Sequence, residues 1–355
     1  MQDFILPTLP PKEFAETSTI LRQLAKSHRY LAELKGTSKT IPNESILIST
    51  LTLQEAKESS EIENIVTTHD DLFKENIFID SKNPASKEVF NYAQGLKLGF
   101  EIVRNEQLLL NKHILIIQKE LLESNAGFRI QGGTKLLNSQ GQIVYTPPQN
   151  AAEVLALMSN LEKFINDNDF SDIDPLIKMA IIHYQFESIH PFYDGNGRTG
   201  RIINILYLVL QGLLDIPILY LSRYITQNKM EYYQVLQDVR TKNDWEHLIL
   251  YFLKSIEVTA KQTIDLIINI NKLMHDYKTD IQTKLPKIYS QDLVNNLFRN
   301  PYTKIEFLEL ELKVSYLTAR KYLDILAENG FVEKTKVGKS NYYINSSFIK
   351  VLMNK

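Results

Sequence analysis

The most informative segment of this chain is His190-Pro191-Phe192-Tyr193-Asp194-Gly195-Asn196-Gly197-Arg198-Thr199-Gly200-Arg201. It separates two runs with helical periodicity, Pro175 to Ser188 and Arg201 to Leu213, so we expect a loop that leads into a helix N-terminus. Its glycines let backbone N–H groups approach an anion closely, and the dipole of the following helix adds positive potential. The segment therefore predicts an anion-binding loop.

The charged residues of this segment narrow the kind of anion. Arg198 and Arg201 are three residues apart, on one face of the first helical turn, where the helix dipole disfavours cations. A polyphosphate would neutralise both guanidinium groups. Asp194 can hold a divalent ion that bridges phosphate oxygens, and His190 can accept the proton of an attacking hydroxyl. These residues predict transfer of a phosphorus-containing group.

Composition limits the class of protein. The chain has 355 residues, 40 basic and 42 acidic, with 44% hydrophobic and 23% charged residues, which is typical of a soluble globular protein with two or three domains. The absence of cysteine excludes disulfides, thiolate catalysis and iron–sulfur clusters. No apolar run approaches the ~20 residues of a membrane span, and the N-terminus lacks a signal-peptide pattern. We expect a cytoplasmic protein with no membrane contact.

The body of the chain has helical periodicity, interrupted once. Helical patterns cover Phe14–Leu34, Glu44–Ile65, Ser86–Arg104, Asn111–Leu122, Ala151–Ile165, Pro175–Ser188, Arg201–Leu213, Lys229–Val239 and Trp245–Met274. Asn43 can cap the second of these helices, and Gly36 is expected to end the first. Between Ala126 and Pro148, glycines and the sequence Asn138-Ser139-Gln140-Gly141 predict a β-hairpin.

The C-terminal part differs in charge and in pattern. From Lys284 to Lys355 there are 12 Lys and Arg against 7 Asp and Glu, a local net charge of +5, whereas the remaining residues carry −7. Helical patterns at Ser290–Arg299, Lys304–Glu311 and Ser315–Asn329 precede two alternating strands, Phe331–Lys334 and Asn341–Ile344. This order predicts a winged helix-turn-helix domain.

Such a domain predicts a set of candidate DNA contacts. The exposed face of the recognition helix would carry Ser315, Thr318, Arg320 and Lys321, and the wing would present Lys334, Lys336 and Lys339 to phosphates. Protein docking and formation of a homodimer are the alternatives, because winged helices serve these purposes as well.

Residues 190–201 resemble, without a departure, the signature of the Fic family, H-P-F-x-[D/E]-G-N-G-R-x-x-R. The resemblance covers about residues 1–275, and the tail resembles the winged helix of some members. It implies a mainly α fold: a Fic-type helical bundle with a β-hairpin flap and a C-terminal winged helix-turn-helix domain. The implied domains are an N-terminal helical region with an inhibitory motif (1–110), a Fic catalytic core (111–275) and the winged helix (284–355).

The resemblance implies transfer of AMP from ATP, with Mg²⁺, to a Tyr, Thr or Ser hydroxyl of a target protein, including the chain itself. His190 would be the general base and Asp194 the metal ligand. Asn196, with the amides of Gly195 and Gly197, would hold the α-phosphate, and Arg198 and Arg201 the outer phosphates. The implied ATP site also includes Thr199, Gly200 and Tyr232. Tyr232 would contact the base or ribose, although paired tyrosines on a helix are equally typical of a core.

Two further segments match the family. Ser59, Glu63 and Asn64 occupy the defining positions of the inhibitory motif [S/T]-x-x-x-E-[G/N]. In the resemblance, the Glu63 carboxylate would pair with Arg201 and occupy the donors that the γ-phosphate needs; the alternative is an ordinary glutamate on an amphipathic helix. The hairpin residues Ile143, Val144, Tyr145 and Thr146 resemble the flap on which a target segment docks as an added strand, with a purely structural hairpin as the alternative.

Two competing functions remain open at this stage. Related enzymes transfer other phosphate-containing groups with the same fold, and the intact arginine pair favours ATP without excluding them. The chain could instead be a DNA-binding transcriptional regulator whose Fic body senses a nucleotide.

Overall fold

In a computed structural model, the chain is described over residues 5–12, 14–68, 72, 83–138, 140–337 and 340–353. It is mainly helical, as the sequence predicts. The helices that precede the hairpin are α1 (Ser18–Ser38), α2 (Glu44–Ile62), α3 (Pro84–Glu106) and α4 (Asn111–Leu122). The side chain of Asn43 caps α2 by accepting a hydrogen bond from the Ser45 amide, which confirms the predicted start of that helix.

A short hairpin and the central helices follow. The strands β1 (Leu136–Leu137) and β2 (Ile143–Tyr145) pair antiparallel. The next elements are α5 (Ala151–Asn166), a 3₁₀ turn (Asn168–Phe170), α6 (Pro175–Ile189), α7 (Asn196–Leu210), α8 (Leu221–Gln227), α9 (Lys229–Lys242) and α10 (Trp245–Lys284). In α6 every residue from Leu176 to Ile189 is buried. Because α6 is surrounded by other elements, the loop at its C-terminal end has a rigid base.

Two helices extend beyond their predicted ends. Helix α1 continues through Gly36 to Ser38, because Leu34 and Ser38 are buried and their packing offsets the helix penalty of glycine, about 1 kcal/mol. Helix α10 continues from Met274 to Lys284. Its buried side chains keep the helical spacing there, and the Tyr277 hydroxyl donates to the Phe331 carbonyl over 2.9 Å. Tertiary contacts therefore set both helix ends.

The C-terminal part combines helices with a small sheet. Its elements are α11 (Gln291–Arg299), β3 (Tyr302–Lys304), α12 (Ile305–Leu312), α13 (Tyr316–Glu328), β4 (Glu333–Val337), β5 (Ser340–Ile344) and α14 (Ser346–Met353). The strands are antiparallel in the order β3–β5–β4. This topology is compatible with the predicted winged helix; the sequence pattern missed β3 and α14.

The candidate DNA contacts differ in their surroundings. Ser315, Arg320 and Lys321 are exposed, as predicted, and Thr318 is partly exposed. Lys334 instead forms an ion pair of 2.6 Å with Asp324 of α13, so part of its charge is already neutralised. Lys336 is exposed, and Lys339 lies outside the described residues.

The C-terminal part packs against the N-terminal helices. The side-chain amide of Gln54 on α2 donates to the Leu352 carbonyl of α14 over 3.0 Å. Within the described ranges, no helix has both the length and the apolar character that a bilayer crossing requires.

Candidate functional site

The loop between α6 and α7 begins with an unusual backbone conformation. His190 follows the last residue of α6 and adopts the left-handed region at φ 50°, ψ 57°, while its amide donates to the Phe186 carbonyl over 2.9 Å. Gly195 is also left-handed, at φ 76°, and α7 begins at the next residue. The predicted arrangement of helix, loop and helix N-terminus is therefore present, although α7 begins five residues earlier than the predicted Arg201.

The side chain of Asn196 shapes this loop. Its Oδ1 accepts from the Phe192 amide over 2.8 Å, and its Nδ2 donates to the Phe192 carbonyl over 2.9 Å. Both polar atoms of a side chain that is 2% exposed are thereby used. The Asn196 side chain therefore fixes the loop conformation, while the phosphate contact expected of it stays a prediction.

The first turn of α7 has backbone donors that are available to an anion. The amide of Gly195 is bound by Asp194 Oδ1 over 2.6 Å, and no described side chain caps the N-terminus of α7. The N–H groups of a helix's first turn have no partner within the helix. They and the helix dipole therefore attract an anion in front of Asn196 and Gly197.

Glutamates from the N-terminal helices neutralise both arginines of the loop. Arg198 Nη1 lies 2.8 Å from Glu88 Oε2, and Arg201 Nη2 lies 2.8 Å from Glu63 Oε1. Both guanidinium groups are almost fully buried. Carboxylates from α3 and the end of α2 thus provide the negative charge that we expected a bound polyphosphate to provide.

Arg201 has further partners on α2. Its Nε donates to the Ser59 hydroxyl over 2.7 Å, and its Nη2 also donates to the Ser59 carbonyl over 3.0 Å. Burial alone would lower the pKa of Arg201, but the Glu63 carboxylate raises it above its ordinary value, so the group stays charged. Ser59 and Glu63 together occupy this guanidinium.

The end of α2 carries Glu63 and Asn64 of the motif. Glu63 is the C-terminal cap of α2, and Asn64 adopts the left-handed conformation at φ 62°, which glycine and asparagine tolerate best. The Glu63 side chain is 38% exposed. Burial would raise the pKa of Glu63, but the Arg201 guanidinium, with Arg198 and Lys229 nearby, lowers it. The carboxylate is therefore ionised at neutral pH.

Gly197 allows the Glu63 carboxylate to approach the helix. A Cβ atom at position 197 would lie 2.5 Å from Glu63 Oε1 and 3.0 Å from Arg201 Nη1. The missing side chain therefore leaves the space in which the carboxylate meets the guanidinium.

Thr199 and Gly200 lie in the first part of α7, and the ATP contacts expected of them stay predictions. Thr199 is fully buried. A Cβ at Gly200 would lie 2.8 Å from Glu187 Oε1 and 3.1 Å from the Phe186 ring, so this glycine allows α6 and α7 to pack closely. Sequence spacing gives neighbouring helix positions but not the direction in which each one points.

His190 is neutral at physiological pH. Burial lowers the pKa of His190 to about 4, and the charges of Arg129 and Arg240 act in the same direction. A neutral imidazole can accept a proton, which a general base requires.

Asp194 is the candidate metal ligand. Its side chain is 76% exposed, beside the free N-terminus of α7, and its Oδ2 lies 3.9 Å from Arg198. Among the described residues, no three His, Asp or Glu side chains cluster as a preformed metal site. A single exposed carboxylate next to an anion cradle fits Mg²⁺, which binds through one or two carboxylates and substrate phosphates.

Comparison with known families agrees with this geometry. Residues 21–101 match the model described as "Fic/DOC family N-terminal", and residues 106–208 match "Fic/DOC family". Residues 273–348 match "Protein adenylyltransferase SoFic-like, C-terminal domain". The chain belongs to the Fic/DOC family.

Individual relatives support the same family. Proteins named "Protein adenylyltransferase Fic" from Aedes aegypti and Culex quinquefasciatus are 29% and 30% identical to this Fic/DOC chain over 164 residues. Each alignment covers 44% of this chain and 30% of the relative. The aligned part is therefore less than a third of the length of these relatives.

Solved structures share the Fic/DOC fold. A Fic family protein from Desulfovibrio desulfuricans G20 has a TM-score of 0.60 at 20% identity, covering 94% of this chain and 98% of that one. A fragment of Fic-1 from C. elegans has a TM-score of 0.55 at 20% identity, covering 70% and 72%. At these identities, the likeness concerns the fold alone.

The flap of this Fic/DOC chain has an exposed edge and one buried anchor. Ile143 and Val144 are 50% and 40% exposed, and Thr146 is exposed. Tyr145 points into the body instead: its hydroxyl donates to the Ser188 carbonyl over 2.9 Å. The Tyr145 side chain therefore holds the flap on α6, while docking of a target segment along residues 143–146 stays a prediction.

Tyr232 is a buried residue of α9 that contacts α6. It is 2% exposed, and its hydroxyl lies 2.8 Å from His183 Nε2. Its neighbour Tyr233 is 48% exposed. Of the two tyrosines, Tyr233 thus presents more surface to a ligand, while the contact predicted for Tyr232 stays a prediction.

Sequence analysis missed two acidic residues of the site. Glu88 binds Arg198 from 110 positions away. Glu187 is 8% exposed; its Oε1 has no hydrogen-bond partner among the described residues, and burial raises its pKa to about 7. A local signal exists for Glu187, since it lies one helical turn before His190, but none for Glu88.

Proposed function

We propose that this chain is a protein adenylyltransferase, which transfers AMP from ATP to the hydroxyl of a Tyr, Thr or Ser side chain. One observation supports this most strongly: a neutral, largely buried His190 lies directly before the uncapped N-terminus of α7. A base and an anion cradle are thus separated only by the short 190–195 loop.

In the proposed reaction, His190 accepts the proton of the target hydroxyl while its oxygen attacks the α-phosphorus of ATP. The new O–P bond forms as the bond to the bridging oxygen of the β-phosphate breaks, and pyrophosphate leaves. The backbone N–H groups at the start of α7 stabilise charge on the α-phosphate. Arg198 and Arg201 would neutralise the outer phosphates.

Asp194 is the residue that would hold Mg²⁺ in this reaction. When bound, the ion would neutralise charge on the phosphate oxygens and on the departing pyrophosphate. The exposure of Asp194 supports this assignment, because a magnesium ion that keeps its waters and binds phosphates needs an open ligand.

Self-inhibition through Glu63 is part of this proposal. The Arg201 guanidinium cannot donate the same N–H groups to a γ-phosphate and to Ser59 and Glu63 at once. The contact of 2.8 Å between Arg201 and Glu63 supports competition between inhibitor and nucleotide for one group.

Labelled ATP tests the proposed activity. We expect the Glu63→Gln protein, incubated with Mg²⁺ and lysate proteins, to transfer label from [α-³²P]ATP and not from [γ-³²P]ATP. Mass spectrometry should find the added mass of AMP on a hydroxyl residue. Label from the γ-position would instead indicate phosphoryl transfer, and no label from either would contradict the proposal.

DNA binding by the C-terminal part is a second candidate function, favoured by the exposed charges of Arg320, Lys321 and Lys336. If these side chains contact phosphates, the logarithm of the affinity for duplex DNA should fall linearly with the logarithm of the salt concentration. Lys336→Gln should reduce the slope of that line by about one. Lys334→Gln should reduce it less, because Asp324 already pairs with that lysine. Gel shifts over a salt series would measure this.

Lys112→Gln on α4 is the control and should leave the slope unchanged. Absence of DNA retention even at low salt would favour a docking or dimerisation role. The exposed apolar side chains of Tyr316 (45%) and Leu317 (74%) at the start of α13 would suit such a role.

A further inference from the structure

The 128–131 segment, which precedes the flap, runs beside the loop that carries His190. The Arg129 amide donates to the Pro191 carbonyl over 2.8 Å. The rings of Phe128 and Phe192 are 5.2 Å apart between centroids. The main chain and a side chain of this segment thus both contact the loop.

The Arg129 side chain is buried, and it donates to main-chain carbonyl groups. It is 2% exposed; its Nε donates to the His190 carbonyl over 2.8 Å, and its Nη2 donates to the Ile189 carbonyl over 3.2 Å and to the Pro148 carbonyl. A buried charge needs compensating partners. Here main-chain oxygens serve that purpose, two of them at the end of α6, where the helix dipole is negative.

These bonds act at a position that needs support. His190 is not glycine, yet its backbone is left-handed, a conformation that costs roughly 1–2 kcal/mol for an L-residue. Such a conformation persists only where the surroundings enforce it. Pro148 follows the flap, so the same guanidinium also joins the base of the flap to the His190 loop.

We propose that Arg129 is a positioning residue for the transfer reaction, which fixes the His190 backbone relative to the flap. The distance and orientation between His190 and the flap edge on which the target docks would then stay fixed. This inference rests on the proposed role of His190 as the general base.

The charge of Arg129 provides a readout that packing alone would not change. Burial lowers the pKa of His190, and the Arg129 and Arg240 charges lower it further, while a hydrogen bond to the Glu187 backbone and the Glu63 charge raise it. Removing the Arg129 charge should therefore raise the pKa of His190 toward 6.5, whereas lysine should preserve it.

The test compares Arg129→Met and Arg129→Lys, each in the Glu63→Gln background. We expect Arg129→Met to lower kcat by about 100-fold, since misplacement by about 1 Å has that effect, with little change in the KM for ATP. The Cε1–H resonance of His190, assigned with His190→Ala, should titrate at higher pH. Arg129→Lys should keep the titration and recover part of kcat.

Lys178→Met is the matched control, because Lys178 is another buried cation and lies on α6 itself. Its side chain is packed over the Phe164 ring at 4.8 Å, and the residue is 2% exposed. It should lower Tm without moving the His190 titration or the KM. A folded Arg129→Met protein with unchanged kcat and unchanged His190 titration would overturn the inference.

If Arg129→Met does not fold, Arg129→Lys decides: full kcat overturns the inference, and a reduced kcat with an unchanged KM supports it. If the parent variant transfers no AMP, the proposed function fails. The His190 titration, which requires no ATP, then still tests whether Arg129 controls this residue.

Discussion

Replacing His190 with alanine is expected to abolish AMP transfer and to leave ATP binding largely intact. The base is lost, whereas the backbone donors of α7 and both arginines remain. General-base catalysis contributes about 10²–10⁴-fold, so the residual rate should lie at or below the detection limit of a labelling assay. Transfer in the Glu63→Gln background and the Kd for ATP would be measured side by side.

A pH profile makes this prediction sharper. Because burial lowers the pKa of His190 to about 4, the imidazole becomes protonated, and unable to accept a proton, only near that pH. The acid limb of kcat/KM should therefore lie near pH 4 and not at the ordinary histidine value of 6.5. His247→Ala, whose side chain is 70% exposed and pairs with Asp244, is the control and should change neither rate nor profile. Transfer by His190→Ala at the parent rate would refute the assignment.

Removing the Glu63 carboxylate is expected to raise AMP transfer by about tenfold or more. A hydrogen bond between charged groups contributes about 1.5–3 kcal/mol, and partial exposure of Glu63 places this contact toward the lower value. Glu63→Gln removes the charge and keeps the side chain's size, so it isolates the electrostatic part. Glu63→Gly should activate at least as strongly, although glycine also destabilises the end of α2.

Two controls accompany this prediction. Glu61→Gln lies on the same helix and changes a partly buried pair with Lys57 instead of the Arg201 contact, so transfer should stay at the wild-type level. Arg201→Ala should not activate, because it removes the group that both Glu63 and the nucleotide need. If both Glu63 variants transfer AMP at or below the wild-type rate, the inhibition hypothesis is wrong.

The local features of the site followed from residue type and spacing. Helical periodicity on both sides of residues 190–201 predicts a loop between helices, and an anion site follows from the free N–H groups of the next helix. At Asn64 the motif requires glycine or asparagine because the backbone there is left-handed. Such properties depend on a few neighbouring residues, so the sequence alone expresses them.

The helix ends and side-chain directions did not follow from the local pattern. Gly36 and Met274 lie inside helices because buried contacts further along the chain stabilise the extra turns. Strand alternation places the Tyr145 side chain on one face of β2. That face anchors the flap only because α6 lies against it and supplies the Ser188 carbonyl. The hydrogen bonds by which the Asn196 side chain fixes the loop were likewise not evident from the sequence.

The partners of the buried charges were decided by tertiary structure. Glu88 meets Arg198 across 110 residues, and Ser59 and Glu63 meet Arg201 across 142 and 138. Arg129 finds its acceptors among carbonyl groups, which no sequence pattern marks. Periodicity specifies which face of a helix is buried, whereas a pair of charges forms only when packing brings two such faces to within about 3 Å.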